Sequence, residues 1–434
     1  MIQKKLYPGE NLLTVSKKQE TSLSLFWYGF FTYTFFYVLA MAEPDFISAA
    51  SCQAVQILGF GGMIMGGMGL MKFKFDDNYL KQLFTINLLY SVTIVLRGSQ
   101  YDFASLKLML FDVTFGVLPY FASVVLLLPR NIAVYKKIFT VLLSFGAAYL
   151  VCVAIFYNTL HDYDRLNLAS QGLVENISVL LALPVGYMLI SYPYNIKDKK
   201  DLFGIGKKNA VIIFMFMVTL FFAIFRARRG LIFMCITTFL SVGMVAILST
   251  KKKMLIIVMS AVIVLATSFF VASMKEHSMF DFLIERSEDD TRTGVEVWMY
   301  ADMSSTDWII GKGIKGKYYC PIVDNVNDAE GAGYRDNIET GYLQIILKGG
   351  ILSLALLLLT FIPAVYKGLF KSKNVLSKAA ALWIFLWIIY LYPSGGIVFS
   401  MNYVLVWVAV GICYSEKIRN LPDNMVKAYL QGKI

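Results

Sequence analysis

Long apolar runs alternate with short polar connections along most of the chain, and many of the runs reach about 20 residues. A bilayer core of about 30 Å needs ~20 apolar residues per helix, so the pattern predicts transmembrane helices. Apolar periodicity and breaker residues place twelve spans at 22–41, 47–71, 80–97, 106–128, 138–160, 173–191, 210–225, 230–249, 254–272, 341–366, 376–392 and 397–413. The predicted fold is an all-α polytopic membrane protein of about twelve transmembrane helices, with one long external loop between spans nine and ten.

That loop, Ser273–Thr340, is the only long polar segment of the sequence. It holds 14 of the 29 acidic residues. We therefore divide the chain into an N-terminal membrane bundle (1–272), an external catalytic loop (273–340), three C-terminal spans (341–413) and a cytoplasmic tail (414–434). We expect the tail to be solvated; the alternative is that its basic residues contact anionic lipid or another protein.

Composition and charge support a membrane location. With 58% hydrophobic and 16% charged residues, the chain lies outside the range of soluble domains. If both termini are cytoplasmic, the cytoplasmic connections hold 26 of the 40 Lys and Arg residues and the external ones 13. The net charge of +11 then reflects membrane orientation rather than nucleic-acid binding. The first 21 residues lack an apolar core, so we expect the first span to be an uncleaved signal anchor.

An arginine cluster at an external membrane boundary runs against this charge bias. It consists of Arg226, Arg228 and Arg229, between spans seven and eight. Arginine is always charged and presents a fork of donors that matches phosphate oxygens, so the cluster suits the diphosphate of a polyprenyl lipid. The alternative is that these side chains reach lipid headgroups and anchor the helix ends.

The polar loop offers two kinds of candidate chemistry in its first part. A charge-rich stretch contains Arg286 and Arg292, and Trp298 and Trp308 follow it. Tryptophan among polar residues suits the C–H faces of sugars, although packing of a small loop domain explains it equally well. The Gly311–Gly316 segment, with its Gly-Lys-Gly, is weak evidence for a nucleotide site, because no Gly-Lys-Ser/Thr pattern accompanies it.

The end of the loop carries two carboxylates, Asp336 and Glu339. We expect both to project from the first turn of span ten, where either can act as a general base or simply complement the helix N-terminus. Lys348 lies deeper in that span and is expected to face the bundle interior, since facing lipid would be costly. No spacing of cysteine or histidine indicates a metal site.

Together these motifs resemble the O-antigen ligase and polymerase superfamily, over residues 223–351. The resemblance rests on Arg228-Arg229-Gly230 opening a span, the basic turn Lys251–Lys253, a long loop with Arg292, Trp298 and Gly311-Lys312-Gly313, and the ending Gly341-Tyr342-Leu343. It implies a metal-independent glycosyltransferase without a cofactor, in the bacterial cytoplasmic (inner) membrane. Its donor and acceptor would be undecaprenyl-diphosphate-linked oligosaccharides, polymerised on the outer face for cell-envelope polysaccharide biosynthesis.

The resemblance also implies roles for particular residues. Arg229 and Arg292 match the family's arginines, whereas Glu339 and Thr340 replace its His-Asn pair, which favours a repeat-unit polymerase over a ligase. We expect catalysis from Glu339, Asp336, Arg229 and Arg292, and substrate binding from Arg228, Arg226, Arg286, Trp298, Tyr342 and Lys348.

Two other functions stay open at this point. A ligase would transfer finished glycan to an acceptor. A transporter of lipid-linked sugars would use Asp112 and Glu175 as coupling carboxylates. A chain-length regulator would leave no readable motif in the sequence.

Overall fold

The computed structural model describes residues 15–42, 46–98, 102–162, 168–191, 207–249, 292–321, 333–393 and 396–430. Six helical stretches are long and apolar enough to cross a membrane: Lys17–Ala42, Ala49–Met68, Asn78–Leu96, Ile132–Ile155, Ser170–Ile190 and Gly341–Phe370. Shorter apolar helices occupy Leu118–Leu127, Ala210–Phe225, Arg229–Val245, Val375–Tyr390 and Met401–Tyr414. The chain is therefore mainly helical and has the character of an integral membrane protein, while the number of twelve spans is not confirmed. The predicted span 254–272 and Arg286 lie outside the described residues.

The helices and strands follow one another in a simple order. The α-helices are α1 (Lys17–Ala42), α2 (Ala49–Met68), α3 (Asn78–Leu96), α4 (Phe103–Phe111), α5 (Ile132–Ile155), α6 (Tyr157–Leu160), α7 (Leu168–Ile177), α8 (Gly186–Ile190), α9 (Lys207–Phe225), α10 (Arg229–Ser249), α11 (Thr293–Asp302), α12 (Ser305–Ile310), α13 (Gly341–Phe370), α14 (Val375–Tyr390), α15 (Met401–Tyr414), α16 (Glu416–Arg419) and α17 (Asp423–Leu430). A 3₁₀-helix covers Leu118–Leu127, and a π-turn at Ser178–Ala182 with a 3₁₀-turn at Leu183–Val185 joins α7 to α8. Two-residue strands β1 (Tyr318–Tyr319) and β2 (Tyr334–Arg335) pair antiparallel, a feature that the all-α prediction lacked.

Close packing of α1 against α2 depends on glycine. A Cβ atom on Gly66 would lie 2.5 Å from the amide nitrogen of Phe26, and one on Gly59 would lie 2.7 Å from that of Tyr33. Small residues let helix backbones approach where lipid gives no hydrophobic driving force between helices. The tight packing expected of the second span is thus confirmed, and its neighbour is α1.

The fourth predicted span is not one regular helix. The α4 helix ends before Asp112, whose Oδ1 accepts the N–H groups of Thr114 at 2.7 Å and Phe115 at 3.0 Å. This carboxylate satisfies backbone donors that the broken helix leaves without helical partners. The irregular stretch also pairs with the one before α15, because the Phe399 N–H donates to the Val113 carbonyl at 2.6 Å.

The C-terminal segment is packed against the bundle, so the prediction of a solvated tail is wrong. The Asn374 Nδ2 donates to the carbonyls of Ile418 at 2.7 Å and Leu421 at 3.2 Å. Ile418 and Val426 are fully buried. A single asparagine before α14 therefore fixes the path of the chain after α15, and apolar side chains of α16 and α17 complete the contact.

The polar segment forms a small unit, here called the loop subdomain (292–321 and 333–340). Its core consists of Met299, Met303, Tyr318, Cys320 and Ile338 together with Leu343, Ile346 and Leu347 of α13. Because the subdomain shares this core with α13, it is seated directly on the first turns of that helix. This seating brings its arginine and carboxylates to the site described next.

Candidate functional site

The N-termini of α10 and α13 and the side chain of Arg292 all contact Leu391–Pro393, the segment that follows α14 and is here called the meeting point. The Gly341 N–H, at the start of α13, donates to the Leu391 carbonyl at 2.7 Å. At the start of α10, Gly230 packs so closely that a Cβ atom there would be 3.0 Å from the Pro393 carbonyl oxygen. The N-termini of two apolar helices therefore face the same short segment, and each contributes partial positive charge.

Arg292 joins this meeting point from the loop subdomain. Its Nη1 donates to the Tyr392 carbonyl at 3.1 Å and its Nη2 to the Pro393 carbonyl at 3.5 Å. Its Nε lies 3.4 Å from Oε2 of Glu339. The Arg292 side chain is 30% exposed and that of Glu339 64% exposed, so the pair is open to a ligand. The structure thus brings together two of the four residues predicted to be catalytic.

Glu339 and Asp336 do not lie on a helix, contrary to the prediction. The α13 helix begins at Gly341 with Thr340 as its N-cap residue, so both carboxylates precede it. Asp336 is exposed, and its main-chain carbonyl accepts a hydrogen bond from Gln344 Nε2 at 3.3 Å. Glu339 pairs with an arginine instead of complementing the first turn of the helix.

A carboxylate that the sequence analysis missed, Glu296, is hydrogen-bonded to Thr340, the residue that follows Glu339. Its Oε1 accepts the hydroxyl of Thr340, which is 1% exposed, and its Oε2 accepts the hydroxyl of Tyr300 at 3.3 Å. Burial, and then the charge of Glu296, raise the pKa of Tyr300, so this phenol stays protonated as a donor. Because Arg292 and Glu296 are four residues apart at the start of α11, one helix face holds both Glu339 and Thr340. That spacing is the signal that would have identified Glu296 in the sequence.

The three arginines before α10 have three different environments. Arg226 is fully buried, and its guanidinium donates to the carbonyls of Leu160 at 3.1 Å and Thr159 at 2.9 Å. It thereby satisfies carbonyls at the C-terminal end of α6, where a cation is favourable. The structure gives Arg226 this structural task, and direct contact with substrate stays a prediction.

Arg228 and Arg229 directly precede Gly230, the residue that packs against Pro393. Arg228 is half-buried and forms an ion pair with Glu175, which gives that carboxylate a partner other than a coupling ion. Arg229 is exposed and is the first residue of α10. Ala227 between the arginines has a φ of 49°, and this left-handed turn directs the neighbouring side chains apart. Of the three, Arg229 combines exposure with a position next to Gly230 and Pro393.

An apolar cavity of about 470 Å³ opens beside this cationic site. Its walls come from α10, α13 and α14, and the residues are Phe233, Tyr342, Leu354, Leu358, Ile388, Ile389, Leu391 and Tyr392. Leu391 and Tyr392 belong to both the cavity and the meeting point. A ligand with an anionic head and an apolar tail can therefore occupy both at once.

The Gly311-Lys312-Gly313 sequence packs against the interruption in α13 and forms main-chain hydrogen bonds with it, a structural role here called the wedge. The α13 helix is interrupted at Gly350, which has a φ of 68°. The N–H groups of Lys312 and Gly313 donate to the carbonyls of Leu347 at 2.8 Å and Lys348 at 2.9 Å, just before the break. These bonds satisfy carbonyls that the interruption deprives of helical partners. The close contact of backbone with backbone is why glycine is needed here.

Other predicted substrate residues lie farther from the meeting point or at its edge. Lys348 is 5% exposed and its Nζ donates to the Gly316 carbonyl at 2.9 Å, so its predicted interior position is confirmed. Tyr342 lines the apolar cavity. Trp298 lies on α11, where its ring centroid is 5.8 Å from that of Tyr319. Whether any of them binds substrate stays a prediction.

The site's chemistry is that of anion recognition next to carboxylates. Arg292 and two helix N-termini supply positive charge, the exposed Arg229 directly precedes Gly230, and Glu339 supplies a proton acceptor. Across the described ranges, no group of three or more His, Cys, Asp or Glu residues is arranged to hold a metal ion.

No protein-family model, curated protein or solved structure matches the chain.

Proposed function

We propose that the protein is a membrane glycosyltransferase that polymerises polyprenyl-diphosphate-linked oligosaccharide repeat units. The observation that carries this proposal is the junction of a cationic site with an apolar cavity at Leu391–Pro393. A polyprenyl diphosphate has the matching parts, a doubly or triply charged head and a hydrocarbon tail. The work would take place at the outer face of a bacterial cytoplasmic membrane that the chain crosses about twelve times, with both termini inside.

Arg229 and Arg292 bind the donor's diphosphate in this mechanism. The hydroxyl oxygen of the acceptor sugar attacks the anomeric carbon of the donor and forms the new glycosidic bond. The bond between the anomeric carbon and the phosphate oxygen breaks, and its electron pair leaves with the lipid diphosphate. The charge that grows on this leaving group is stabilised by the two guanidinium groups and the helix N-termini.

Glu339 accepts the proton of the attacking hydroxyl. Its Oε2 lies 3.4 Å from Nε of Arg292. A diphosphate carries more negative charge than a single carboxylate and offers several acceptor oxygens, so it competes for the same guanidinium. Binding of the donor then releases Glu339 to act as general base. The first isoprene units of the lipid fill the apolar cavity beside Tyr342 and Tyr392.

The size of lipid-linked glycans in cells tests the proposal. In a deletion strain, we expect single lipid-linked repeat units to accumulate, and wild-type protein to restore a ladder of longer chains. Arg292→Ala should lose the ladder, since one missing charge-stabilising contact costs about 10²–10³ in rate. Glu339→Gln should lose it because an amide cannot accept the proton, and general-base catalysis contributes about 10²–10⁴ in rate. Lys371→Ala, at the far end of α13, is the matched control and should keep it.

The same experiment separates the rival functions. Long lipid-linked chains accumulating in the deletion strain would identify a ligase. Repeat units held on the cytoplasmic face would identify a transporter. An unchanged ladder in Arg292→Ala would remove the diphosphate role from the proposal.

A further inference from the structure

A group of three aromatic rings lies on the loop subdomain, two of them exposed and the third, Trp298, packed partly against the subdomain core. It consists of Trp298 on α11, Tyr319 on β1 and Tyr334 on β2, here called the aromatic platform. The ring centroids of Trp298 and Tyr319 are 5.8 Å apart at 84°, and those of Tyr319 and Tyr334 are 5.5 Å apart at 65°. Tyr319 is 40% exposed and Tyr334 46% exposed, so both rings offer surface to solvent.

The ribbon that carries the two tyrosines is firmly held. Tyr318, next to Tyr319 on the same strand, is fully buried and donates its hydroxyl to the Asn337 carbonyl at 3.2 Å. Cys320 is also fully buried, and its N–H donates to the Gly333 carbonyl at 2.6 Å. Side chains alternate along a strand, so burial of these neighbours turns Tyr319 outward.

The position of Tyr319 is fixed further by a glycine. Gly333 has a φ of 89°, and a Cβ atom there would lie 2.9 Å from Cε2 of the Tyr319 ring. Tyr334 is the direct cross-strand partner of Tyr319. The exposed rings are thus pre-positioned, which lowers the entropy cost of binding a ligand.

We propose that the aromatic platform binds the glycan part of the substrate, with pyranose rings stacked on the exposed Tyr319 and Tyr334 and with Trp298 supporting the Tyr319 ring from the core side. Sugar rings present an apolar C–H face and a polar rim, and tyrosine and tryptophan present an apolar face and a polar tip. This choice of ligand rests on the proposed function. Trp298 lies six residues beyond Arg292, the N-cap residue of α11, which corresponds to about 9 Å along a regular helix. That length is comparable with one or two sugar units, so a glycan whose diphosphate lies at Arg292 reaches the platform.

Binding of lipid-free sugar by the full-length protein in detergent tests this proposal. The probe is the set of oligosaccharides released by mild acid from the surface polysaccharide of the source organism, titrated by isothermal calorimetry. Wild-type protein should bind them, and Tyr319→Ala and Tyr334→Ala should each weaken binding roughly tenfold, as loss of one stacking contact predicts. Tyr319→Phe keeps the ring and should bind within about twofold of wild type.

Tyr366→Ala is the matched control, because Tyr366 is 53% exposed and lies near the opposite end of α13. It should leave the affinity unchanged. Wild-type affinity in both alanine variants, or the absence of binding by the wild-type protein, would overturn the proposal. Thermal unfolding of each variant checks that a loss of binding is not a loss of folding.

The outcome is separable from that of the polymerase assay. If the deletion strain keeps the glycan ladder while Tyr319→Ala weakens oligosaccharide binding, the polymerase proposal fails and the platform stands. If the deletion strain loses the ladder while Tyr319→Ala and Tyr334→Ala both bind normally, the platform fails and the polymerase proposal stands.

Discussion

Gly313→Ala tests whether the Gly-Lys-Gly sequence is a structural wedge. Gly313 has a φ of 84°, and a Cβ atom there would lie 1.7 Å from the carbonyl oxygen of Arg97 at the end of α3. The backbone at Gly313 cannot shift away from Arg97 without losing contacts. Its N–H donates to the Lys348 carbonyl at 2.9 Å, and the nearby Gly311 packs closely against the backbone of Gly350. The substitution must therefore strain the backbone, displace α3 or break the bond to α13.

The size of the effect follows from these contacts. A residue with a side chain held at positive φ costs about 1–3 kcal/mol, and displacement of packed neighbours costs a further ~1–3 kcal/mol. The sum is about 2–6 kcal/mol. For a chain of this size each kcal/mol lowers the unfolding midpoint by about 2 °C, so we expect a decrease of roughly 4–12 °C.

Thermal unfolding of the purified protein in detergent, followed by tryptophan fluorescence, measures this decrease. Gly61→Ala is the matched control, because Gly61 is helical and a Cβ atom there meets nothing within 4 Å. It should leave the midpoint unchanged or raise it slightly, as alanine is the better helix former. Equal midpoints for the two variants would refute the wedge. A nucleotide that raised the midpoint of wild type but not of Gly313→Ala would make the segment a binding loop instead.

Two further predictions concern charged groups that the structure pairs. Glu296→Gln should lower the rate of chain extension more than it weakens substrate binding, since Glu296 holds Thr340 next to Glu339 and contacts no substrate in the proposed mechanism. Glu296→Asp keeps the carboxylate and should recover part of the rate. An equal loss of rate in both variants would contradict the positioning role of Glu296. Although burial opposes it, the hydrogen bond from Lys367 lowers the pKa of Asp77. This pair therefore stabilises the fold above the usual aspartate pKa of about 4, and the stabilisation is lost as pH falls through the lower folded value. The unfolding midpoint of wild type should exceed that of Asp77→Asn at pH 7, and the difference should shrink below pH ~4; a difference that persisted at low pH would contradict the assignment.

Much of the architecture was predictable because the membrane makes local sequence decisive. A backbone in hydrocarbon must satisfy its own hydrogen bonds, so a run of about 20 apolar residues is almost bound to be helical. The predicted positions of α1, α2, α3, α10 and α13 agree with the structure to within a few residues for this reason. The glycine pattern of α2 also indicated close packing, since small side chains have a direct geometric effect.

Breaks and end positions were less predictable. Asp112 interrupts an apolar run by accepting backbone N–H groups, which composition alone does not reveal. The basic residues after α15 predicted a solvated tail. Asn374, 44 residues earlier in the chain, instead donates a hydrogen bond to the Ile418 carbonyl and so holds that segment against the bundle. In both cases a polar side chain satisfies backbone groups, and only the folded chain shows which ones.

By itself, the sequence determined the membrane character, most of the helices, and the arginine and carboxylate residues that make up the candidate site. Only the tertiary structure decided which members of those groups meet. Arg226 and Arg229 are three residues apart, yet a left-handed turn at Ala227 buries one against α6 carbonyls and leaves the other exposed at the start of α10. Arg292 and Glu339 are 47 residues apart and come within 3.4 Å because the loop subdomain shares its core with α13. Hydropathy is a property of single residues, so the sequence reveals it directly. Whether two charged side chains come into contact depends on how the loop subdomain and the helices pack together.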